Sequence, residues 1–307
     1  MINYSPSASE LRSRLRAKIP RYAPTTYGLG FSARTLIGHV LCLLAISYFS
    51  STTNYWGLGG GFIATAVIML RYQFILHEAC HGVLSNSRRL NDGIGRIAGM
   101  LCGYNFDNYR SNHSAHHRYV GTEKDTELDN FIKSDPSAGS KRLQMITKLA
   151  RAGFGLDAIK LIRTAAFGGA PRGGRQTGFK VGLAVSAVLQ TAALGNFASG
   201  LEFLQAVSVF VFSVVCGTFF LNRARAISEH EIDDSLVDFQ NSKSHASGIF
   251  SKLISPLNFN YHFEHHVFPD VSSYYYPEIN REFRVIFASD KWCRKGYVST
   301  LRAYWQG

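Results

Sequence analysis

Eight of the eleven histidines in this 307-residue chain fall into three short clusters. They are His77 and His81 in His-Glu-Ala-Cys-His, His113, His116 and His117 in His-Ser-Ala-His-His, and His262, His265 and His266 in His-Phe-Glu-His-His. Within each cluster the spacing is i, i+3 or i+4, which puts side chains on one face of a helix. A neutral imidazole is a nitrogen ligand for a transition metal, and one such ion takes at most about six ligands, a catalytic one keeping a position open. Eight or nine imidazoles therefore imply two metals. His230, in Arg-Ala-Ile-Ser-Glu-His, is the candidate ninth, because its distance past an apolar helix matches that of His77 and His81. A metal-bound imidazole usually donates its other N–H to a carboxylate or carbonyl. Asp125, Asp129, Glu78, Glu229 and Glu264 lie near these histidines in sequence and are candidates for that service. His39 stands alone in an apolar run and is expected to serve a helix–helix hydrogen bond or interfacial polarity. His245 sits in a polar Ser-Lys-Ser-His run expected to be a loop, and Cys80 lies toward the edge of its box. None of these three is counted as a ligand.

The elements that must position these residues follow from charge. Lys and Arg are absent from Thr35 to Leu70 and from Val181 to Asn222, although the chain carries 33 of them against 21 Asp and Glu. Each window, with its flanks, accommodates two membrane crossings at roughly 20 residues apiece. Spans are expected at about 33–50, 57–76, 178–195 and 201–222, with Gly57 to Gly61 weakening the start of the second. The turns near 51–55 and 196–200 lack basic residues, whereas every other connection is rich in them, which places both termini and the central region in the cytoplasm. The expected fold is all-α, four transmembrane helices in two hairpins, with a cytoplasmic helical cap (77–177 and 223–307) holding a dimetal site in one domain spanning 1–307. Histidines distant in sequence then meet on one side of the bilayer. Asp107 or Asn108 is expected to cap the helix of the second cluster and Gly121 to end it, while Pro269 stops the third.

Composition narrows the remaining classes. Mean hydropathy of −0.03 suits a soluble protein, but the uneven charge does not. An aromatic content of 13% excludes disorder. Five cysteines without a regular spacing argue against a disulfide framework or a cysteine zinc site. The net charge of +12 is explained by the inside bias of a membrane protein, and no nucleic-acid partner is expected. Arg12, Arg14, Arg16, Lys18 and Arg21 read as a basic, uncleaved leader. Residues 140–167, with Leu143, Ile146, Leu149, Ile159 and Ile162 among lysines and arginines, suit either a helix in the membrane surface or one packed on its own domain. Gly168 to Gly178 reads as a linker, and a tail with Trp292, Tyr297, Tyr304 and Trp305 as interfacial.

All three boxes in this order, with two spans between the second and third, resemble the membrane-bound fatty acid desaturase superfamily, which also includes carotenoid hydroxylases, ketolases and lipid hydroxylases. The likeness covers about 30–290. The segment Asn260 to Pro269 is similar to the third box of that family, as are Asn91-Asp92 and Gly95 after the first and Gly121 to Asp125 after the second. The resemblance implies a non-haem di-iron centre that uses O2 and two electrons to take hydrogen from an unactivated carbon. It makes His77, His81, His113, His116, His117, His262, His265 and His266 iron ligands and matches His230 to an additional one. Some members place Asn one turn before that residue to hold a metal-bound water; here the position is Ala226. No haem motif or ferredoxin-like cysteine set occurs, so electrons are expected from a separate ferredoxin or cytochrome-type protein. Zinc can displace iron on purification, since it binds such sites more tightly.

The expected function is desaturation of a fatty acyl chain delivered as a CoA thioester, an acyl-carrier-protein thioester or a lipid ester. The alternative is a hydroxylase or ketolase acting on a carotenoid, sphingoid or specialised metabolite, because one centre serves both outcomes. The non-enzymatic readings are a metal transporter or sensor and an electron carrier. A transporter calls for polar ligands at mid-membrane, which the third and fourth spans lack, and an electron carrier would normally call for haem. A bacterial inner membrane is the expected location.

Overall fold

The computed structural model describes residues 8–135, 137, 139–159, 175–233, 236, 238–286 and 292–306. Four helices are long and apolar enough to cross a membrane: Thr25–Ser51 (α2), Tyr55–Cys80 (α3), Thr177–Leu194 within Arg175–Leu194 (α7), and Gly200–Glu229 (α8). They outrun the charge-free windows. α2 begins directly after Pro24, whose fixed φ suits a helix start, and α3 and α8 continue beyond the apolar segment to carry functional residues. α2 packs on α3, α7 and α8, and α3 packs on α8. On the outer flanks Ile37, Ile63 and Val188 are 62%, 63% and 67% exposed, a surface that hydrocarbon covers at no cost. The chain is a multi-pass membrane protein by these helices.

The turn between α2 and α3 uses Thr53 at φ 50°, and the Asn54 side chain caps α3 by accepting from the Gly57 N–H at 2.9 Å. Glycine does not weaken this start. A Cβ on Gly57 would stand 2.4 Å from the Phe49 ring and one on Gly61 2.8 Å from Ile46, so the missing side chains let the two helices close. α8 contains a π-helical stretch at Ser213–Thr218, where the Thr218 hydroxyl donates to the Ser213 carbonyl at 3.1 Å. Gly168, Gly169, Gly173 and Gly174, together with Ile162, lie outside the described residues; Gly178 is already within α7.

The remaining helices cluster at one end of α3 and α8. Arg88–Cys102 (α4) and Phe106–Tyr119 (α5) follow α3, and Lys141–Gly153 (α6) follows α5. Ile249–Ile254 (α9), His262–Val267 (α10), Tyr276–Ile286 (α11) and Tyr297–Gln306 (α12) come after α8. Two short parallel pairs, Ile132–Lys133 with Glu231–Ile232 and Ser244–His245 with Cys293–Arg294, tie distant segments together. One buried apolar cluster runs from Leu70 and Phe74 on α3 through Phe263 on α10 to Phe283 on α11.

Three segments expected at the surface are placed by the structure, and one of them, the tail, departs from expectation. The basic leader forms a helix, Ala8–Leu15 (α1), that docks on the protein: Leu11 and Leu15 are buried, Arg12 donates to the Val267 carbonyl, and Arg16 reaches Asp270 at 2.7 Å. The tail is mostly core rather than interface, since Trp292, Tyr297 and Tyr304 are buried and only Trp305 is exposed. α6 packs Met145 and Ala152 inward on the protein, yet leaves Leu143 and Ile146 uncovered, so it combines the two readings of that segment.

Candidate metal centre

α3 carries His77 in its last turn and His81 at its C-cap. The link to the second cluster is local and specific. Asn91 closes the turn after His81 by donating to the carbonyls of Ser85 and Ser87, both at 2.8 Å, while Asp92 pairs with Arg110 and so ties α4 to α5. α5 is capped by Asn105, not by Asp107 or Asn108; its side-chain carbonyl accepts from both of their N–H groups, at 3.1 and 3.0 Å. The helix ends at Tyr119, and Gly121 follows at φ 81°, a left-handed turn that favours glycine. α10 is a six-residue helix, buried throughout, which ends two residues before Pro269.

All nine candidate rings converge, in two groups. His77, His81, His113, His117 and His265 bring one nitrogen each to within 4.8 Å of one another. His117 Nε2 lies 3.0 Å from His113 Nε2 and 2.9 Å from His265 Nε2. His116, His230 and His266 form the second group. His262 joins it, with its Nε2 2.8 Å from His230 Nε2 and 3.2 Å from His266 Nε2. The groups abut, His117 and His266 having ring centroids 4.5 Å apart. Neither group matches a sequence cluster: α5 sends His113 and His117 to one and His116 to the other, and α10 sends His265 to the first and His262 and His266 to the second.

This arrangement fits a pair of cations. A neutral imidazole has one donor and one acceptor nitrogen, so crowded Nε2 atoms cannot all satisfy each other. Ligands at right angles on one ion, each about 2.1 Å from it, stand about 3 Å apart, close to the separations seen here. Buried nitrogens on His77, His81, His230 and His262 also lack hydrogen-bond partners among the described residues. Burial pushes the pKa values of His117, His262, His265 and His266 well down, and neighbouring imidazoles push the same way, which keeps these rings neutral.

The groups behind the rings differ in part from those the sequence suggested. Asp125 lies 2.9 Å from His116 Nδ1. Glu127 does the same for His113, also at 2.9 Å, and the Tyr276 hydroxyl for His265 at 2.9 Å. Neither Glu127 nor Tyr276 was among the expected positions. Glu127 stood in the acidic run after the second cluster, so its type and location were visible; Tyr276, on α11, left no local signal. Burial lowers the His116 pKa, but the charges of Glu127 and Asp125 outweigh it and the net shift is upward. Burial would raise the Glu127 carboxyl, but His116 and the hydrogen bond from His113 hold it well below the usual carboxylate range.

The other carboxylates turn away. Glu78 accepts from Ser272 at 3.4 Å, and Glu264 accepts from Ser244 and from Asn280, so they tether helices rather than rings. The Asp129 carbonyl accepts from Lys148 at 2.7 Å, and the residue lines a cavity. Glu229 is intermediate: it lies 3.4 Å from His262 Nδ1 while accepting from Arg225, Ser255 and Tyr297. His39 lies 3.2 Å from the Tyr72 hydroxyl on the next helix, the expected helix–helix contact. His245 is buried in a short strand rather than a loop; its ring stacks on Tyr297 at 4.1 Å, away from the centre. A cavity of about 710 Å³ opens beside His77 and Glu127, walled by α3, α5, α6 and α8.

The three histidine clusters that carried the sequence resemblance thus meet in one place beside the apolar helices. The family model described as fatty acid desaturase matches residues 53–294. The chain belongs to that family. The match takes in every histidine of the centre and begins after α2, later than the sequence likeness suggested. A search of curated proteins found no significant match. Family membership makes this an oxidoreductase family protein associated with the oxidation of fatty acyl chains, and its histidine groups are ones that could hold metal.

Proposed function

We propose that the protein desaturates a fatty acyl chain at a di-iron centre, with one iron held by His77, His81, His113, His117 and His265 and the other by His116, His230, His262 and His266. The observation that carries this reading is the convergence of nine imidazoles, from segments far apart in the chain, into two adjoining nitrogen sets. Iron with O2 and two electrons supplies an oxidant able to attack an unactivated C–H bond.

The protein's own residues supply position. With Nε2 of His116, His113 and His265 turned to the centre, each Nδ1 carries the proton and donates, to Asp125, Glu127 and Tyr276 respectively. That fixes both tautomer and ring angle. The cavity beside His77 admits a substrate between α3 and α5, and its fit selects the carbon to be oxidised. Electrons come from a ferredoxin or cytochrome-type protein docking on the basic face. The two helical hairpins enter the bilayer from the cytoplasm of a bacterial inner membrane, both termini stay inside, and the whole chain forms one domain.

Expression with a compatible ferredoxin, followed by mass spectrometry of lipids and pigments, tests the reaction. A loss of two hydrogens from an acyl chain is expected. A gain of oxygen would replace desaturation by hydroxylation or ketolation, and purified protein without bound iron or any oxidised product would overturn both.

A further inference from the structure

The geometry points to a fatty acyl substrate that carries, beside its reacting carbon, a neutral group that both donates and accepts hydrogen bonds, a hydroxyl or a carboxamide, rather than to an unsubstituted chain or one on a phosphate-bearing carrier. This rests on the oxidase reading of the same centre and adds the class of molecule it takes.

The cavity follows α3 from Leu70 to His77. Leu70, Phe74 and Phe219 give it an apolar end. The rest of the wall is rich in carboxamides, several of which already have structural duties. Asn105 caps α5, Gln144 binds the backbone of Lys133 and Gly139, and the Asn130 and Asn222 carbonyls accept from Arg223 and Arg225. Gln73, Asn108 and Asn112 do not. Their side chains have no hydrogen-bond partner among the described residues, and they are not sealed from solvent. Gln73 lies one turn before His77 on α3, while Asn108 and Asn112 lie one turn apart on α5, leading to His113 and His116.

Each carboxamide offers two donors and an acceptor. Water satisfies them when the cavity is empty; the exposed Asn112 keeps its water, whereas a run of methylenes would strip it from the half-buried Gln73 and Asn108 and leave both unpaired. A hydroxyl or amide on the substrate pairs with them instead, next to His77. Charge in the same wall is nearly balanced, Lys148, Arg151, Arg223 and Arg225 against Glu127, Asp129 and Asp157, which gives an anionic carrier little net attraction. Arg223 binds Asp157 at 2.6 Å, Arg151 lies 3.7 Å from Asp157, Arg225 pairs with Glu229, and Lys148 donates to the Asp129 carbonyl. These cations are engaged, and Glu127 and Asp129 add negative charge beside them.

Binding to metal-free full-length protein, measured by calorimetry in detergent, reads this without chemistry. The probes share one chain: N-methyldodecanamide, monododecanoylglycerol, methyl dodecanoate and dodecanoyl-CoA. The amide or the glyceride is expected to bind at least tenfold tighter than the methyl ester and the thioester, and whichever is tighter identifies the group. Gln73→Glu, which keeps shape but removes a donor, and Asn108→Leu should each cut that preference about fivefold, the size of one ordinary hydrogen bond, while methyl ester binding persists and shows the cavity intact. Equal binding of the methyl ester, tighter binding of the thioester, or a preference untouched by Gln73→Glu overturns the inference. The oxidase reading is tested separately by iron content and product in iron-loaded protein, so either can fail alone.

Discussion

The two histidine groups share α5 and α10 but are held in different ways. In the group of His116, His230, His262 and His266, carboxylates stand behind the rings: Asp125 is 2.9 Å from His116 and Glu229 3.4 Å from His262. Glu229 is in turn fixed by Tyr297 and Ser255, so α12 and the residue that ends α9 brace this group. The group of His77, His81, His113, His117 and His265 has one carboxylate, Glu127, and one phenol, Tyr276, and it is this group that meets the cavity through His77. The braced, enclosed set suits holding a metal in place; the set beside the cavity suits meeting a substrate. On the proposed reading one centre separates anchoring from access, although both halves draw on α5 and α10.

That contrast can be broken most directly at the ligands. His116→Ala and His81→Ala should each abolish product, a loss of at least about a hundredfold, and lower iron from two per chain toward one or fewer; elemental analysis with product assay reads both, and full iron with full activity in either variant rejects the assignment. Next come the groups behind the rings. Asp125→Asn and Glu127→Gln should each cost about 10- to 100-fold in metal affinity or activity. Mössbauer spectra should then show one of two iron signals altered, a different one in each variant; the same signal changing in both would dissolve the distinction between the groups. Tyr276→Phe keeps the ring and removes the hydroxyl, so it should be milder, on the order of a few-fold to tenfold in iron retention, with chelator-release rates as the measurement.

The smallest effect is expected away from the metals. Burial, with Arg294 nearby, pushes the His245 pKa down to about 3. The unfolded chain takes up a proton there below about pH 6.5 that the folded chain refuses until about pH 3, so this residue's contribution is present above pH 6.5 and is lost as pH falls through that window. His245→Gln should flatten the acid side of the thermal stability curve by about one proton, or roughly 1.4 kcal/mol per pH unit, with little change at pH 8. An unchanged slope would mean that His245 carries no such penalty.

Particular residues mark the line between what could be read and what could not. The charge-free windows announced the spans, because a bilayer tolerates so few Lys and Arg that their absence is itself a signal. Gly57 and Gly61 looked like helix breakers, and only the contact with Phe49 and Ile46 reveals them as packing sites. Trp292 and Tyr297 looked interfacial because amphipathic aromatics serve both cores and interfaces. Among the carboxylates, nearness in sequence pointed to Glu78 and Glu264, yet adjacent residues on a helix point about 100° apart, so a neighbour in sequence seldom stands behind the same ring.

By itself the sequence determined the available chemistry: which side chains could bind metal is set by residue type, and helical spacing of 3 and 4 sets which of them share a face. Family membership and membrane residence follow from the same linear pattern. Only the tertiary structure decided how nine imidazoles divide between two positions, with α5 and α10 each serving both, and that Glu127 and Tyr276 hold rings from behind. The reason is geometric. Spacing along a helix fixes direction relative to that helix alone, whereas a coordination set is defined by where several helix faces meet, and that depends on every contact between them.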